Sequence, residues 1–244
     1  LALPPETSDA FLREVDEELR RDQMIGLWRR WGIAIVGIVL VALAAFGGWL
    51  YWQHRQAEAA GAEGERFSRA LEALGAEKPA EAQPILAELA KSDRPGYRAS
   101  ALFTEADILL TKDDLKGAAA KFAQVAKDEG VAKPFRDLAL IRQTSAEYDM
   151  LAPQAVIDRL RGLAVKDSPW FGTAGEMVAV AYLRLNQPGP AGKLFGQIAQ
   201  TERVPATIRQ RAVQMAGVLG VDAIDQTPAA SKAAAAQGEE KNTQ

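Results

Sequence analysis

Histidine occurs once in this chain, as His54, and cysteine is absent. A serine or thiol nucleophile needs a base within reach, and transition-metal centres are mostly built from clustered His and Cys. Neither chemistry can be assembled from these residue types. Carboxylate pairs do occur, at Glu17–Glu18, Asp113–Asp114 and Glu239–Glu240. They read as a solvated helix face, a turn with a helix cap, and tail charge, not as a general acid with its base. No Walker-type loop is present, and no GxGxxG opens a helix after a strand. The reading is non-enzymatic: no catalytic, cofactor-binding or metal-binding residues, and no cofactor. The formal net charge of -3 and the sequence pI of about 5.4 leave no basic footprint for nucleic acid.

What remains is side chains that grip another protein. The candidates are Phe103, Asp107, Arg142, Tyr148, Met177 and Arg184. Phe103 and Met177 read equally well as core residues. Arg142 stands alone, without the recurrent basic and asparagine set that clamps a C-terminal carboxylate, so that recognition mode is not expected. These residues matter only if regular elements present them together.

The first such element is Trp31–Trp52, WGIAIVGIVLVALAAFGGWLYW, which holds no charged residue. At about 1.5 Å per residue it spans roughly the 30 Å hydrocarbon core, where only a helix satisfies its own backbone. Trp28 and Trp31 at one end, and Trp49, Tyr51 and Trp52 at the other, form two aromatic belts. Arg20, Arg21, Arg29 and Arg30 precede the span and Arg55 follows it, which predicts a cytoplasmic N terminus and an exported C-terminal domain. An Ala-x-Ala pattern at Ala57–Ala59 raises a cleaved signal peptide, but the apolar run is longer than the 7–15 residues such a peptide uses. The expectation is an uncleaved anchor. The chain opens on leucine, from which the expectation is an alternative start codon or a few preceding residues.

Before the span, Phe11, Leu12, Val15 and Leu19 recur at helical spacing within Ser8–Trp28, with Asp9 as the candidate N-cap. This amphipathic helix lies on the membrane or a partner, or is solvated; its pattern fits both. After the span the chain repeats itself. A small or β-branched residue is followed four positions later by a large apolar one at Ala82/Leu86, Ala118/Phe122, Val156/Leu160 and Ala191/Phe195. Leu89, Val125, Leu163 and Ile198 follow three positions on, at intervals of about 36 residues. That is the beat of a two-helix unit of the tetratricopeptide type. First helices are expected at Ala57–Leu74, Tyr97–Thr111, Phe135–Tyr148 and Phe171–Leu185. Second helices are expected at Ala80–Lys91, Leu115–Lys127, Gln154–Val165 and Pro190–Gln200, with a last helix at Ala206–Leu219. Ala70, Ala106 and Ala179 let paired helices approach, Asp114 caps its helix, and Thr144 makes the third unit the weakest match. The fold class is all-α: a single transmembrane helix followed by a tetratricopeptide-like solenoid. The expected domains are a cytoplasmic leader at 1–30, the span at 31–52, the repeats at 57–219 and a disordered tail at 220–244. The six candidate residues fall by register on or beside first helices, which line the concave face of such a stack.

The whole arrangement resembles the YfgM family, ancillary subunits of the bacterial SecYEG translocon. The likeness rests on GWLYWQHRQAEAA (Gly48–Ala60), DDLKGAAAKF (Asp113–Phe122) and FLREVDEELRRDQ (Phe11–Gln23), and covers roughly residues 9–220. The resemblance implies a single-pass protein of the bacterial inner membrane with a periplasmic domain. It implies as partners the SecYEG translocon and a membrane-anchored periplasmic chaperone, in the service of exported chains. The competing expectation is a periplasmic tether for envelope-assembly or cell-division proteins using the same groove. Small residues Ala42, Ala44, Ala45, Gly47 and Gly48 would let anchor helices approach one another or another membrane subunit.

Overall fold

The computed structural model describes the backbone of residues 6–222 and the side chains of residues 31–222. Among the described residues every regular element is an α-helix. In chain order these are α1 (Glu6–Gly75), α2 (Pro79–Leu89), α3 (Pro95–Thr111), α4 (Leu115–Lys127), α5 (Lys133–Ala146), α6 (Pro153–Leu160), α7 (Phe171–Arg184), α8 (Pro188–Ala199) and α9 (Ala206–Val218). The chain forms two units, Leu1–Ala62 and Glu63–Gln244.

The first unit is helical throughout its described length. Leader, span and the start of the first repeat helix, read above as separate segments, all belong to α1. The reason is local: between Pro5 and Pro79 no proline removes a backbone donor. Asp9 therefore lies inside the helix and not at its cap, while the amphipathic face of the leader lies outside the described side chains. Within Trp31–Gly75 is the one stretch, among the described residues, long and apolar enough to cross a membrane, and none of it is covered by protein. Ile33 is 93 % exposed and Val41 70 %. A continuous apolar surface of this size is strongly disfavoured in water and is stable in lipid.

The second unit contains the end of α1 and helices α2–α9. Turns of a few residues join α1 to α2, α3 to α4 and α7 to α8, so each pair is antiparallel. The buried residues follow the repeat. Ala82, Ala118, Val156 and Ala191 lie in the core, as do Leu86, Phe122, Leu160 and Phe195, then Leu89, Val125, Leu163 and Ile198. Ala70, Ala106 and Ala179 are fully buried where paired helices meet. Prolines open α2, α3, α5, α6 and α8 in their first turn, where the missing N–H has no partner to lose. Asp114 caps α4 by accepting a hydrogen bond from Gly117 N–H at 2.9 Å.

Three of the four intra-pair turns share one closure. Lys78, Asp114 and Gln187 donate their N–H to the carbonyls of Ala73, Leu109 and Tyr182 at 2.8, 2.9 and 2.9 Å. The residue before each (Glu77, Asp113, Asn186) has φ of 58°, 59° and 55°. This is the Schellman closure with a left-handed residue after the helix. The end of α9 repeats it with Gly220 at φ 74° and a Val221 N–H bond to Ala216 of 2.9 Å. That closure seats Val221 against Gly192 and Gly196 of α8, where a Cβ on Gly192 would stand 2.9 Å from a Val221 methyl. Gly220 and Val221, expected to open a disordered tail, thus belong to the packed end of α9, and residues 223–244 lie outside the described ones.

The third unit departs from the others. After α5 the chain makes a turn through Glu147–Met150 with no left-handed residue, closed by Met150 and Leu151 N–H bonds to Glu147. Helix α6 ends at Leu160, five residues before the expected Val165. Gly162 disfavours another turn by about 1 kcal/mol, and Leu163 reaches the core from a turn instead. Thr144 is fully buried, its hydroxyl donating to Leu140 O at 2.7 Å, so this polar side chain occupies an apolar position without an unmet donor.

Candidate partner-binding surface

The six sequence candidates gather into two clusters. In the first, Arg142 of α5 donates to Asp107 of α3 at 2.6 Å, and its guanidinium lies 4.9 Å from the centre of the Phe122 ring. Phe103 of α3 meets the same ring with centroids 5.8 Å apart. One buried aromatic of α4 therefore supports an apolar and a cationic side chain from two successive first helices. In the second cluster the Tyr148 hydroxyl donates to Met177 O at 2.9 Å. Arg184 covers the Tyr148 ring at 5.3 Å and donates to the carbonyls of Tyr148 and Leu151 at 2.9 and 3.2 Å. Burial raises the Tyr148 pKa, and the charge of Arg184 beside it opposes that shift.

These contacts define what the six residues can offer. Phe103 and Met177 are half-buried and belong to the edges of core clusters. Asp107 and Arg142 neutralise each other while about half and two-fifths of their side-chain surfaces stay open, at 49 % and 38 %. Arg184 is exposed despite its two carbonyl partners. The chemistry available is apolar contact plus a paired, re-partnerable charge. An ion pair this exposed is worth only about 0–1 kcal/mol, so a partner can replace it at little cost.

A third link of the same kind escaped the sequence reading. Arg211 of α9 grips Glu176 of α7 with two bonds of 2.8 and 2.7 Å, and that contact raises the arginine pKa further. Asp107 to Arg142 and Glu176 to Arg211 are both 35 residues apart, so an acid answered by an arginine one repeat later is the signal that would have found them. A groove of about 430 Å³ was also not anticipated. It lies between the starts of α3 and α5, lined by Pro95, Tyr97, Ala99, Val131 and Phe135, with Arg94 at its rim. Phe135 is 53 % exposed there, because in the first turn of α5 no preceding turn covers it. Arg94 forms an ion pair with Glu63 at 2.9 Å. Among the described residues no group of three or more His, Cys, Asp or Glu is placed to hold a metal ion.

Helices paired by short turns, small residues where they cross, and large apolar residues repeating every 35 to 38 positions define the scaffold. The family model of the tetratricopeptide repeat-like domain matches residues 26–168, more than half of the chain. The chain belongs to this family. No curated protein and no solved structure matches it. The match spans the apolar helix and the first three repeat units. Helices α7, α8 and α9 lie beyond residue 168, yet they bury the same repeat positions and so continue the tetratricopeptide-like stack. Tetratricopeptide scaffolds act by binding protein partners and not by bond chemistry, which agrees with the residue types available here.

Proposed function

We propose that this chain is a membrane-anchored interaction protein of the bacterial inner membrane, ancillary to the Sec translocon, which recruits periplasmic chaperones to exported proteins. One observation carries the reading: an uncovered apolar helix and a tetratricopeptide-type scaffold occupy the same chain. The excess of arginine before the span supports a cytoplasmic N terminus and a periplasmic repeat domain. The resemblance of Gly48–Ala60 and Asp113–Phe122 to the YfgM family supports SecYEG and a membrane-anchored chaperone as partners. In this reading the span is residues 31–52, the repeats are residues 57–219, and Phe103, Asp107, Arg142, Tyr148, Met177 and Arg184 contact the partner.

In-cell photo-crosslinking tests it, with the probe at Phe103, Arg142, Met177, Phe135 and a position within the span. Recovery of translocon subunits or periplasmic chaperones is the expected result. Recovery of envelope-assembly or division proteins alone overturns it in favour of a tether. Crosslinks from Phe135 but from none of the other repeat positions would move the working surface to the groove between α3 and α5.

A further inference from the structure

The third repeat unit is built differently from its neighbours. Its intra-pair turn lacks the left-handed closure found at Glu77, Asp113 and Asn186. Its second helix, α6, is only 8 residues long. Among consecutive pairs from α2 to α9, α5 and α6 have the thinnest contact, and α5 approaches α7 less than α3 approaches α5 or α7 approaches α9.

The core records the same division. Phe122, Ala118 and Ala106 bind α3 to α4, and Ala99, Leu102, Val125 and Ala139 tie both to α5. On the far side, Phe171, Phe195, Ile198 and Ala212 bind α7, α8 and α9. Between these blocks α5 contributes buried Ile141 and half-buried Leu140 to the cluster of α6 and α7, joined by Tyr148 and Leu151 of the turn that follows. The turn itself is held to α6 and α7 by polar contacts partly open to water. Arg159 of α6 pairs with Glu147 at 2.5 Å, the Tyr148 hydroxyl bonds Met177 O, and Arg184 reaches back to the Tyr148 and Leu151 carbonyls.

We infer that the third repeat is a hinge: the block ending at α5 and the block α6–α9 turn against each other about Glu147–Ala152, and Arg184, bonded to the Tyr148 and Leu151 carbonyls of that turn, is the brace that limits its motion. A junction where α5 brings only two apolar side chains to the next cluster, and where the turn is held by exchangeable hydrogen bonds, opens at lower free energy than the fully packed helix pairs on either side. Opening changes the spacing between Phe103 and Asp107 on one block and Met177 and Arg184 on the other, so a partner that touches both sets would meet an adjustable width.

The absence of native cysteine makes the test direct. Spin labels on Ala80→Cys with Gln210→Cys report the distance between blocks, and Ala80→Cys with Lys127→Cys report a distance within one block. With the full-length protein in nanodiscs, Arg184→Ala should broaden the first distribution or add a second population while leaving the second pair unchanged. A first distribution that superimposes on that of the unmutated protein overturns the hinge. Hydrogen exchange on the unmutated protein tests the hinge independently, even if Arg184→Ala does not fold. Amides of residues 151–163 should exchange about tenfold faster than those of α4 and α8. Equal protection in all three would sink the proposal.

Discussion

At the residue scale, several side chains sit in environments with a measurable signature. Asp128 accepts hydrogen bonds from Arg98 at 2.7 Å and from Gly130 N–H at 3.0 Å, and the Arg98 contact, above all, holds its carboxyl below the ordinary range. A carboxylate so held adds stability above that range and loses it as the pH falls through the lowered value. Thermal melts below about pH 4 should therefore show a loss of stability that becomes shallower in Asp128→Asn, which should also melt earlier at neutral pH. Glu77 is a second case. Its φ of 58° costs a side-chain-bearing residue about 1 kcal/mol that glycine avoids. Glu77→Gly should raise stability by about 0.5–1 kcal/mol in denaturant unfolding, and Asn186→Gly by less, since asparagine tolerates this region. Gly172 answers the opposite requirement. A Cβ there would stand 2.7 Å from a Val204 methyl, so Gly172→Ala should destabilise by about 1–3 kcal/mol.

At the scale of elements, packing decides. Phe122 is fully buried in α4 and carries both Phe103 and Arg142 on its ring. Phe122→Ala should cost about 3–5 kcal/mol, whereas Asp107→Ala, which only breaks an exposed pair, should cost no more than about 1 kcal/mol. Chemical denaturation of the two variants side by side separates a residue that supports the packing from one that only pairs at the surface. Helix boundaries followed the same logic. Those of α4 were legible because Asp114 and the repeat pattern mark its start and a regular apolar stripe runs to its end. Those of α6 were not, because the apolar positions through Leu163 continue the helical period while the backbone has already left it. Periodicity reports which side chains are buried, and a turn can bury Leu163 as well as a helix can.

At the scale of the whole molecule, the apolar helix and the repeat scaffold make separate demands. The apolar helix is left uncovered by protein, and the repeats bury their own core. A chain starting at Ala57 should partition into the soluble fraction and keep its helical circular dichroism, while the full chain should fractionate with membranes and resist carbonate extraction. A truncated chain that aggregates without helix would show that the repeat unit depends on the anchor for its folding.

The sequence by itself determined the helical class, the long apolar helix and the register of the repeats. Each is a property of local period and composition: a charge-free run of Trp31–Trp52, and a small residue followed by a large apolar one every 36 or so positions. Tertiary structure alone decided which polar groups meet. Arg142 looked isolated in the chain and is paired with Asp107; Tyr148, Met177 and Arg184 form one cluster; and the acid of Glu176 found Arg211. It also decided that Phe135 borders an open groove and that the third unit is thinly joined. These facts depend on the rotation and separation of helices about a repeat apart. Short-range pattern carries no information on that geometry, because the same apolar stripe packs with many crossing angles and only the assembled core selects one.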